Sequence, residues 1–201
     1  MKMQIPENMT EHIQKIFDGE YDIAYRNSSP VILDIGGNIG GFSLWANKRW
    51  ANSKIYSYEP IKNNFNLLKE NTKGIDNIVI SNVAIGSKTE TRRMYYGAHN
   101  VGECSFINGA EQVEKGEEVS VMSAGLLPDA NIVKIDTEGA EIEILENMLI
   151  KPDVYLIEFH SADNRRAIDN ILHDYTLMSA DIKSPNYGIV KYALSSKIKY
   201  T

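Results

Sequence analysis

The residues with the clearest chemical potential lie at 31–46, VILDIGGNIGGFSLWA, where Asp34 follows an apolar run and glycines stand at positions 36, 37, 40 and 41. Glycines after a buried strand let the backbone approach a ligand closely and adopt positive φ. The amides at the start of the following helix add hydrogen-bond donors. A carboxylate followed by nearly bare backbone therefore predicts a loop that binds a polar small molecule.

The spacing of these glycines distinguishes between nucleotide-like ligands. A dinucleotide loop needs G-x-G-x-x-G and binds a pyrophosphate at the helix N-terminus. A P-loop needs G-K-[ST] after its glycines, and neither pattern occurs here. Asp34 would repel a phosphate so close by, but it suits a cationic ligand. S-adenosylmethionine meets this requirement, because it carries an ammonium group and a sulfonium and has no phosphate.

Glu59 is the second candidate binding residue, at the end of the next β-rich run, KIYSYE. A carboxylate at this place can accept hydrogen bonds from both hydroxyls of a ribose. An exposed acid at a strand end is the plainer alternative. Together with the glycine loop, Glu59 favours a ligand that contains a nucleoside.

Alternating β-rich and helical patterns predict the elements that position these groups. We predict strands at 31–35, 54–59, 77–85, 131–139 and 153–160, and helices at 7–18, 40–50, 61–74, 140–149 and 163–175. Such alternation predicts an α/β fold with a Rossmann-like, doubly wound, mostly parallel sheet. The last two β-rich runs, joined through KSPNYG, predict a C-terminal hairpin that makes one edge of the sheet antiparallel.

We interpret residues 1–201 as a single domain, in which 1–29 form an N-terminal helical lead-in. Residues 86–128 interrupt the βαβ rhythm with two short β-rich runs and a long loop. A lid or a substrate-recognition element is one interpretation of this insertion. A strand pair that only extends the sheet is the other. His99 in the insertion could line a pocket for a substrate.

Composition excludes several classes of protein. The chain has a formal net charge of −6 and no basic-aromatic run, so nucleic acid is an unlikely partner. A single cysteine excludes a disulfide framework and a cysteine-based zinc site. No apolar run approaches the roughly 20 residues that span a bilayer, and the N-terminus lacks the apolar region of a secretory signal. We therefore expect a soluble, cytoplasmic protein with no membrane partner.

Five stretches resemble class I S-adenosylmethionine-dependent methyltransferases, and more narrowly the FkbM family: VILDIGGNIGGFSLWA, IYSYEPIKNNFNLLKEN, ISNVAIGSKTE, VKIDTEGAEIEIL and VYLIEFH. They occur in the family's order and cover roughly residues 30–160. KIDTEGAEIEIL is the most specific, because other methyltransferases keep the glycine loop but seldom this run.

The resemblance implies a cofactor site. It implies that the loop D-x-G-x-N-x-G holds the methionine portion, that the acid after the second strand binds the ribose, and that the turn after the third strand contacts the adenine. Asp136 matches the acid beside the methyl-transfer site. The residues that we expect to bind the cofactor are Asp34, Gly36, Gly37, Asn38, Gly40, Glu59, Pro60, Asn82, Val83, Ala84 and Asp136.

Methyl transfer from a sulfonium requires alignment of the acceptor, the methyl carbon and the sulfur, and a hydroxyl acceptor must also lose its proton. Asp136 and His160 are the candidate catalytic residues, because each follows an apolar strand and neighbouring strands end at the same edge. A helix cap is the alternative role for Asp136, and a structural role is the alternative for His160. We interpret Glu141 and Glu143 as charges on a helix surface.

The sequence thus predicts S-adenosylmethionine-dependent O-methylation of a small molecule or sugar, with S-adenosylhomocysteine as the product. An RNA- or protein-directed methyltransferase and a non-catalytic cofactor-binding subunit are the alternatives. Asp136, Glu138 and His160 could also form a set of ligands for a divalent metal, but their spacing selects none and we predict no metal. The expected partner is a small-molecule acceptor, and the sequence indicates neither its identity nor an oligomeric state.

Overall fold

The computed structural model describes residues 3–97, 100–105 and 115–197, so His99 lies outside the described residues. The helices are α1 (Thr10–Phe17), α2 (Gly41–Arg49), α3 (Lys62–Asn71), α4 (Glu141–Asn147) and α5 (Ala162–Ile171). The strands are β1 (Val31–Ile35), β2 (Lys54–Tyr58), β3 (Ile78–Ser81), β4 (Ala84–Gly86), β5 (Glu90–Gly97), β6 (Asn100–Ser105), β7 (Lys115–Ser123), β8 (Ile132–Ile135), β9 (Val154–Phe159), β10 (Thr176–Ser184) and β11 (Tyr187–Ala193). Within these ranges, no helix has the length and apolar character needed to cross a membrane.

The main sheet of the described chain has seven strands in the order β10-β11-β9-β8-β1-β2-β3. The five strands from β9 to β3 are parallel to one another. The hairpin of β10 and β11 is antiparallel and is added at the β9 edge. This arrangement confirms the predicted Rossmann-like sheet with an antiparallel hairpin edge. The strand order reverses between β1 and β8, where sheets of this kind bind their ligands.

Both faces of the sheet are covered, which explains why its central strands are apolar almost throughout. Successive residues of β1 point to opposite faces, so Ile32 and Leu33 belong to different core clusters. The cluster of Ile32 includes residues of α1 and α2, such as Ile13 and Phe42. The cluster of Leu33 includes residues of α4 and α5, such as Ile144. The sheet therefore holds its strand ends rigidly between two layers of helices.

The predicted strand at 77–85 divides into two strands that belong to different sheets. β3 completes the main sheet, whereas β4 begins a second sheet of order β4-β7-β5-β6. The division falls at Asn82, whose side-chain amide donates hydrogen bonds to the backbone oxygens of Glu59 and Pro60 at 2.9 and 2.8 Å. The described strands of the insertion, β5, β6 and β7, thus belong to this second sheet, so the alternative of a strand pair that only extends the main sheet is wrong.

Glu143 of α4 joins the second sheet to the main body. Its carboxylate accepts hydrogen bonds from Arg92 at 2.8 and 2.5 Å and from the backbone and hydroxyl of Ser87 at 2.8 and 2.6 Å. The hydrogen bonds from Arg92 outweigh the effect of burial and lower the pKa of Glu143 to about 2. The interpretation of Glu143 as a plain surface charge is therefore wrong.

Candidate active site

The glycine loop after β1 lies directly against the end of β8. Gly36 has φ 82°, and a Cβ atom there would lie 1.8 Å from the backbone oxygen of Asp136. A Cβ atom on Gly37 would lie 2.2 Å from the hydroxyl of Ser57. Backbone amides of both glycines donate to the carbonyl of Tyr58 at 3.0 and 2.9 Å. The loop is thus held between the ends of β2 and β8, and only glycine fits at position 36.

Asp34 lies behind this loop. It is fully buried, and its carboxylate accepts hydrogen bonds from Ser43 and Ser57 at 2.6 and 3.1 Å. The ammonium group of Lys134 lies 3.5 Å from the other carboxylate oxygen. The structure therefore places Asp34 where it orients the loop and the start of α2.

A cavity of about 490 Å³ opens at the carboxyl ends of β1, β2 and β8. Four of the predicted cofactor residues do not line the cavity, namely Asp34, Gly37, Gly40 and Asn82. The predicted site residues that line it are Gly36, Asn38, Glu59, Pro60, Val83, Ala84, Asp136 and His160. The cavity thus brings together most of the site residues that were predicted from the sequence.

Glu59 is buried at the wall of this cavity, with 4% of its surface exposed, so the alternative of an exposed acid is wrong. One carboxylate oxygen accepts from the backbone amide of Asn38 and the other from that of Ile61, both at 2.8 Å. Each oxygen keeps a further lone pair for a ligand hydroxyl. Burial raises the pKa of Glu59 to about 7 in spite of the two amide hydrogen bonds.

Asp136, Glu138 and His160 meet at the ends of β8 and β9, with one potential ligand atom from each lying within 4.8 Å of the others. The Nε2 atom of His160 lies 3.2 Å from Glu138 and 4.0 Å from Asp136. Its Nδ1 atom lies 3.0 Å from Glu141. Burial lowers the pKa of His160, but the hydrogen bonds to Glu141 and Glu158 outweigh it and raise the pKa to about 11.

Glu141 was expected on a helix surface, and that expectation is wrong. Its side chain is fully buried and accepts hydrogen bonds from the amide of Gly139 at 2.9 Å and from the side chain of Asn164 at 2.7 Å. Its buried role could have been predicted from its position in the first turn of α4, directly after a glycine turn. A carboxylate at such a position can bind the free backbone amides of the helix start.

Lys134 is a site residue that was not predicted from the sequence. It is buried on β8, and its ammonium group lies 2.7 Å from the backbone oxygen of Gly36 and 3.2 Å from Asp136. Burial opposes its charge, but the carboxylates of Asp136 and Asp34 outweigh that effect and raise the pKa of Lys134. The sequence does contain an indication of this role, because Lys134 lies inside the apolar run NIVKI. A lysine in a buried strand is almost always paired with an acidic group.

The cavity suits a cationic ligand with hydroxyl groups. Four carboxylates line it, and among the described residues no lysine or arginine does. The side-chain oxygen of Asn38 is buried without a hydrogen-bond partner in the described part of the chain, so it can accept one from a ligand. The acidic lining disfavours a dinucleotide phosphate. The glycine cradle, Asn38 and Glu59 therefore fit S-adenosylmethionine better than a dinucleotide. The carboxylates that line the cavity are Glu59, Asp136, Glu138 and Glu158.

Solved structures of methyltransferases share this fold. A methyltransferase FkbM from Methylobacillus flagellatus KT matches with a TM-score of 0.53 and 17% identity, over 83% of this chain and 44% of that chain. TrmK of M. capricolum, solved with S-adenosylhomocysteine, matches with a TM-score of 0.53 and 16% identity, over 99% of this chain and 71% of that chain. At such identities these matches show a shared fold. The chain spans less than half of the first of these proteins.

The family of the chain follows from its sequence. The Methyltransferase FkbM domain matches residues 34–178, and the chain belongs to this family, which confirms the resemblance. It is also 25% identical over 190 residues to the hexuronic acid methyltransferase AglP of Haloferax volcanii, an alignment that covers 83% of this chain and 74% of that protein.

Proposed function

We propose that this chain is an S-adenosylmethionine-dependent methyltransferase that methylates a hydroxyl group of a small molecule or sugar. The observation that carries the proposal is the buried carboxylate of Glu59, which faces the cavity and is held by two backbone amides. Hydroxyls of a ribose would donate to it and offset the cost of its burial. The S-adenosylhomocysteine bound by TrmK on the same fold supports this choice of donor.

The residues that would hold the cofactor line the cavity after β1 and β2 and at the start of β4. Glu59 would bind the ribose, Gly36 and Asn38 the methionine portion, and Val83 and Ala84 the adenine. When bound, S-adenosylmethionine supplies an electrophilic methyl group on a positively charged sulfur. Asp136 and the other acidic side chains would stabilise that positive charge until the methyl group leaves.

The part of the cavity at the ends of β8 and β9 is the proposed acceptor pocket. Lys134 lies beside one oxygen of Asp136, so the other oxygen can accept the proton of an acceptor hydroxyl. The Nε2 atom of His160 is buried, so we assign His160 a role in positioning the acidic groups. The pocket is completed by His12 near the N-terminus and by Tyr187 of the hairpin.

A hydroxyl acceptor is favoured over the alternatives. The name of the relative AglP, a hexuronic acid methyltransferase, supports a sugar-like acceptor. The acidic lining of the cavity disfavours RNA. We retain the insertion at 86–128 as a substrate-recognition element, because Met94 of β5 lines the cavity. A non-catalytic cofactor-binding subunit is separated from an enzyme only by a transfer experiment.

The experiment incubates the protein with S-adenosylmethionine carrying a tritiated methyl group and a panel of sugars, uronic acids and polyols. We expect transfer to a hydroxyl, a loss of cofactor binding in Glu59→Ala, and a loss of about 100-fold or more in transfer by Asp136→Asn with binding of S-adenosylhomocysteine, which lacks the positive charge, retained. Glu146→Gln, on the exposed face of α4, is the matched control. Failure of the wild-type protein to bind the cofactor would contradict the proposal, and binding without any transfer would support a binding subunit.

A further inference from the structure

Lys134 lies at the point where the strand order of the main sheet reverses. It pairs with Asp34 in the register of β1 and β8, and only 3% of its surface is exposed. Asp136 directly follows β8, and its backbone amide donates to the carbonyl of Ile35 at 3.1 Å. The pairing of the two strands thus continues by one residue, which brings Asp136 beside the start of the glycine loop.

The ammonium group of Lys134 connects that loop to Asp136. It donates a hydrogen bond to the backbone oxygen of Gly36 at 2.7 Å and lies 3.2 Å from Oδ2 of Asp136. Lys134 itself is not part of the described lining of the cavity, whereas Gly36 and Asp136 both are. Any effect of Lys134 on a ligand in the cavity therefore passes through these two residues.

These two residues serve different partners of the proposed reaction. Gly36 belongs to the loop that would hold the donor, and Asp136 would accept the proton of the acceptor hydroxyl. Lys134 binds only Oδ2 of Asp136. Oδ1 lies 4.0 Å from Nε2 of His160, which is longer than a hydrogen bond. One buried cation thus holds the carboxylate against the donor loop and leaves Oδ1 for the acceptor.

Stability alone does not explain a lysine at this position. Removing charged groups from water is costly, and replacing a buried ion pair by apolar residues is often neutral or stabilising. The other residues of β8 are apolar and fully buried, so an apolar side chain would continue their pattern. The contacts of the ammonium group point instead to a role at the site.

We propose that Lys134 is a positioning residue for methyl transfer, an inference that rests on the proposed function. It fixes Asp136 relative to the donor loop, so that Oδ1 faces the acceptor hydroxyl. Oδ1 takes the proton of that hydroxyl, the acceptor oxygen forms a bond to the methyl carbon, and the C–S bond breaks with its electron pair left on sulfur. Lys134 keeps its own protons throughout.

A double-mutant cycle on the kcat of methyl transfer tests this role, with Lys134→Met and Asp136→Asn as the two single variants. The methyl acceptor is the sugar, uronic acid or polyol that the wild-type protein methylates. A misplaced reacting group can cost about 100-fold in rate, so we expect a loss of this size in Lys134→Met. In the Asp136→Asn background, Lys134→Met should change kcat by no more than about twofold, because the group that it positions is already absent.

The Kd for S-adenosylhomocysteine should be unchanged in Lys134→Met, because Gly36 keeps its hydrogen bond to Tyr58. This binding also shows that the variant folds. If Lys134→Met does not fold, Asp34→Asn/Lys134→Met removes one charge of each sign and is compared with Asp34→Asn. Lys191→Met is the matched control, because Lys191 is a half-buried lysine of β11 outside the described lining of the cavity, and its kcat should equal that of the wild type.

Equal kcat in wild type and Lys134→Met would overturn the inference, and so would a loss of the same size with and without Asp136. Both results include transfer by the wild-type protein and leave the proposed function intact. A change confined to donor binding would assign Lys134 to the cofactor site and would also overturn the inference. Cofactor binding by the wild type without transfer to any acceptor would overturn both conclusions, because Lys134 would then have no base to position.

Discussion

At the scale of single residues, Gly36 offers the sharpest test of the loop. Gly36 and Gly74 both have positive φ, 82° and 79°, but a Cβ on Gly74 meets nothing within 4 Å. Gly74→Ala should therefore cost only the strain of the backbone conformation, about 1–2 kcal/mol. Gly36→Ala adds a collision with the backbone of Asp136, so it should destabilise the protein further and abolish cofactor binding.

Urea unfolding and calorimetric titration with S-adenosylhomocysteine measure both effects. The matched conformations of the two glycines make Gly74→Ala the control for backbone strain. Equal losses of stability in the two variants, with cofactor binding retained in Gly36→Ala, would show that the loop and the end of β8 are not held together as described.

Glu59 predicts how cofactor binding depends on pH. Its pKa of about 7 is raised by burial, and only the ionised carboxylate can accept a ribose hydroxyl at each of its two oxygens, because protonation turns one oxygen into a donor. Protonation therefore competes with binding, so affinity should be constant well above pH 7 and fall about tenfold for each pH unit below it. Calorimetric titration with S-adenosylhomocysteine between pH 5.5 and about 8.5 checks this dependence.

Glu59→Gln is the control for this prediction, because an amide cannot be ionised in this range. Its affinity for S-adenosylhomocysteine should be lower than that of the wild type at pH 8 and nearly independent of pH. A wild-type affinity that does not change between pH 8 and pH 5.5 would contradict the assignment of Glu59 to the ribose.

A site residue could be predicted from the sequence where its chemistry and its position in an element both indicate a site. It could not be predicted where its role depends on burial in the folded chain. Glu59 follows a clear β-rich run and a glycine loop, so its place at the cavity could be predicted. Lys134 and Glu141 are charged residues in ordinary strand and helix patterns, and such residues are usually exposed. Their burial results from contacts with Asp34 and His160, which are distant from them in the sequence.

At the scale of elements, Glu143 should control how firmly the second sheet is attached to α4. Glu143→Gln replaces charge-assisted hydrogen bonds to Arg92 and Ser87, so we expect a loss of about 1–2 kcal/mol at pH 7. The pKa of Glu143 is lowered to about 2, so its stabilisation is complete above the ordinary value of about 4.5. The stabilisation is lost as the pH falls from 4.5 toward 2.

Urea unfolding of wild type and Glu143→Gln at pH 7, 4.5 and about 3.5 measures this contribution. The difference in unfolding free energy should shrink over the lower part of that range. Glu146→Gln, an exposed position on the same helix, should change stability by less than about 0.5 kcal/mol. A difference that stays constant down to pH 3.5 would argue against the ion pair as its source.

The hairpin should contribute to acceptor binding through Tyr187. This side chain lines the cavity, and its ring centre lies 5.9 Å from that of His160. Tyr187→Ala should raise the KM for the acceptor by about tenfold, which corresponds to about 1.4 kcal/mol, and leave the Kd for S-adenosylhomocysteine unchanged. Ile182→Ala, an exposed residue of the same hairpin, is the control. The reverse pattern, with cofactor affinity lost and KM retained, would place the acceptor elsewhere.

The order of elements could be predicted because helix and strand periods alternate clearly along the chain. The division of 77–85 between two sheets could not, because an apolar β-rich run does not show which partner strands it pairs with. That choice depends on the hydrogen bonds of Asn82 to the turn after β2 and on the pairing of β4 with β7, which is distant in the sequence.

At the scale of the whole molecule, the net charge of the chain and the lining of the cavity both favour a positively charged ligand. The chain carries a formal net charge of −6, and the described lining of the cavity includes four carboxylates and neither lysine nor arginine. A field of one sign that is focused in a cleft attracts ligands of the opposite sign and raises their association rate. The donor and its product differ in this respect, because methyl transfer removes the positive charge of the sulfur.

Salt should therefore weaken binding of S-adenosylmethionine much more than binding of S-adenosylhomocysteine. The first has a net charge of about +1 near neutral pH and the second about 0, and screening shortens the electrostatic range from about 30 Å at 0.01 M to about 10 Å at 0.1 M. We expect the association rate of S-adenosylmethionine to fall severalfold between these concentrations, measured by stopped flow on chelator-treated protein. An equal salt dependence for both ligands would show that the acidic lining does not select the charged donor. A larger effect of salt on the donor would explain how the site releases its product. The carboxylates attract the positively charged sulfonium of the donor, and the product no longer carries this charge once the methyl group has been transferred.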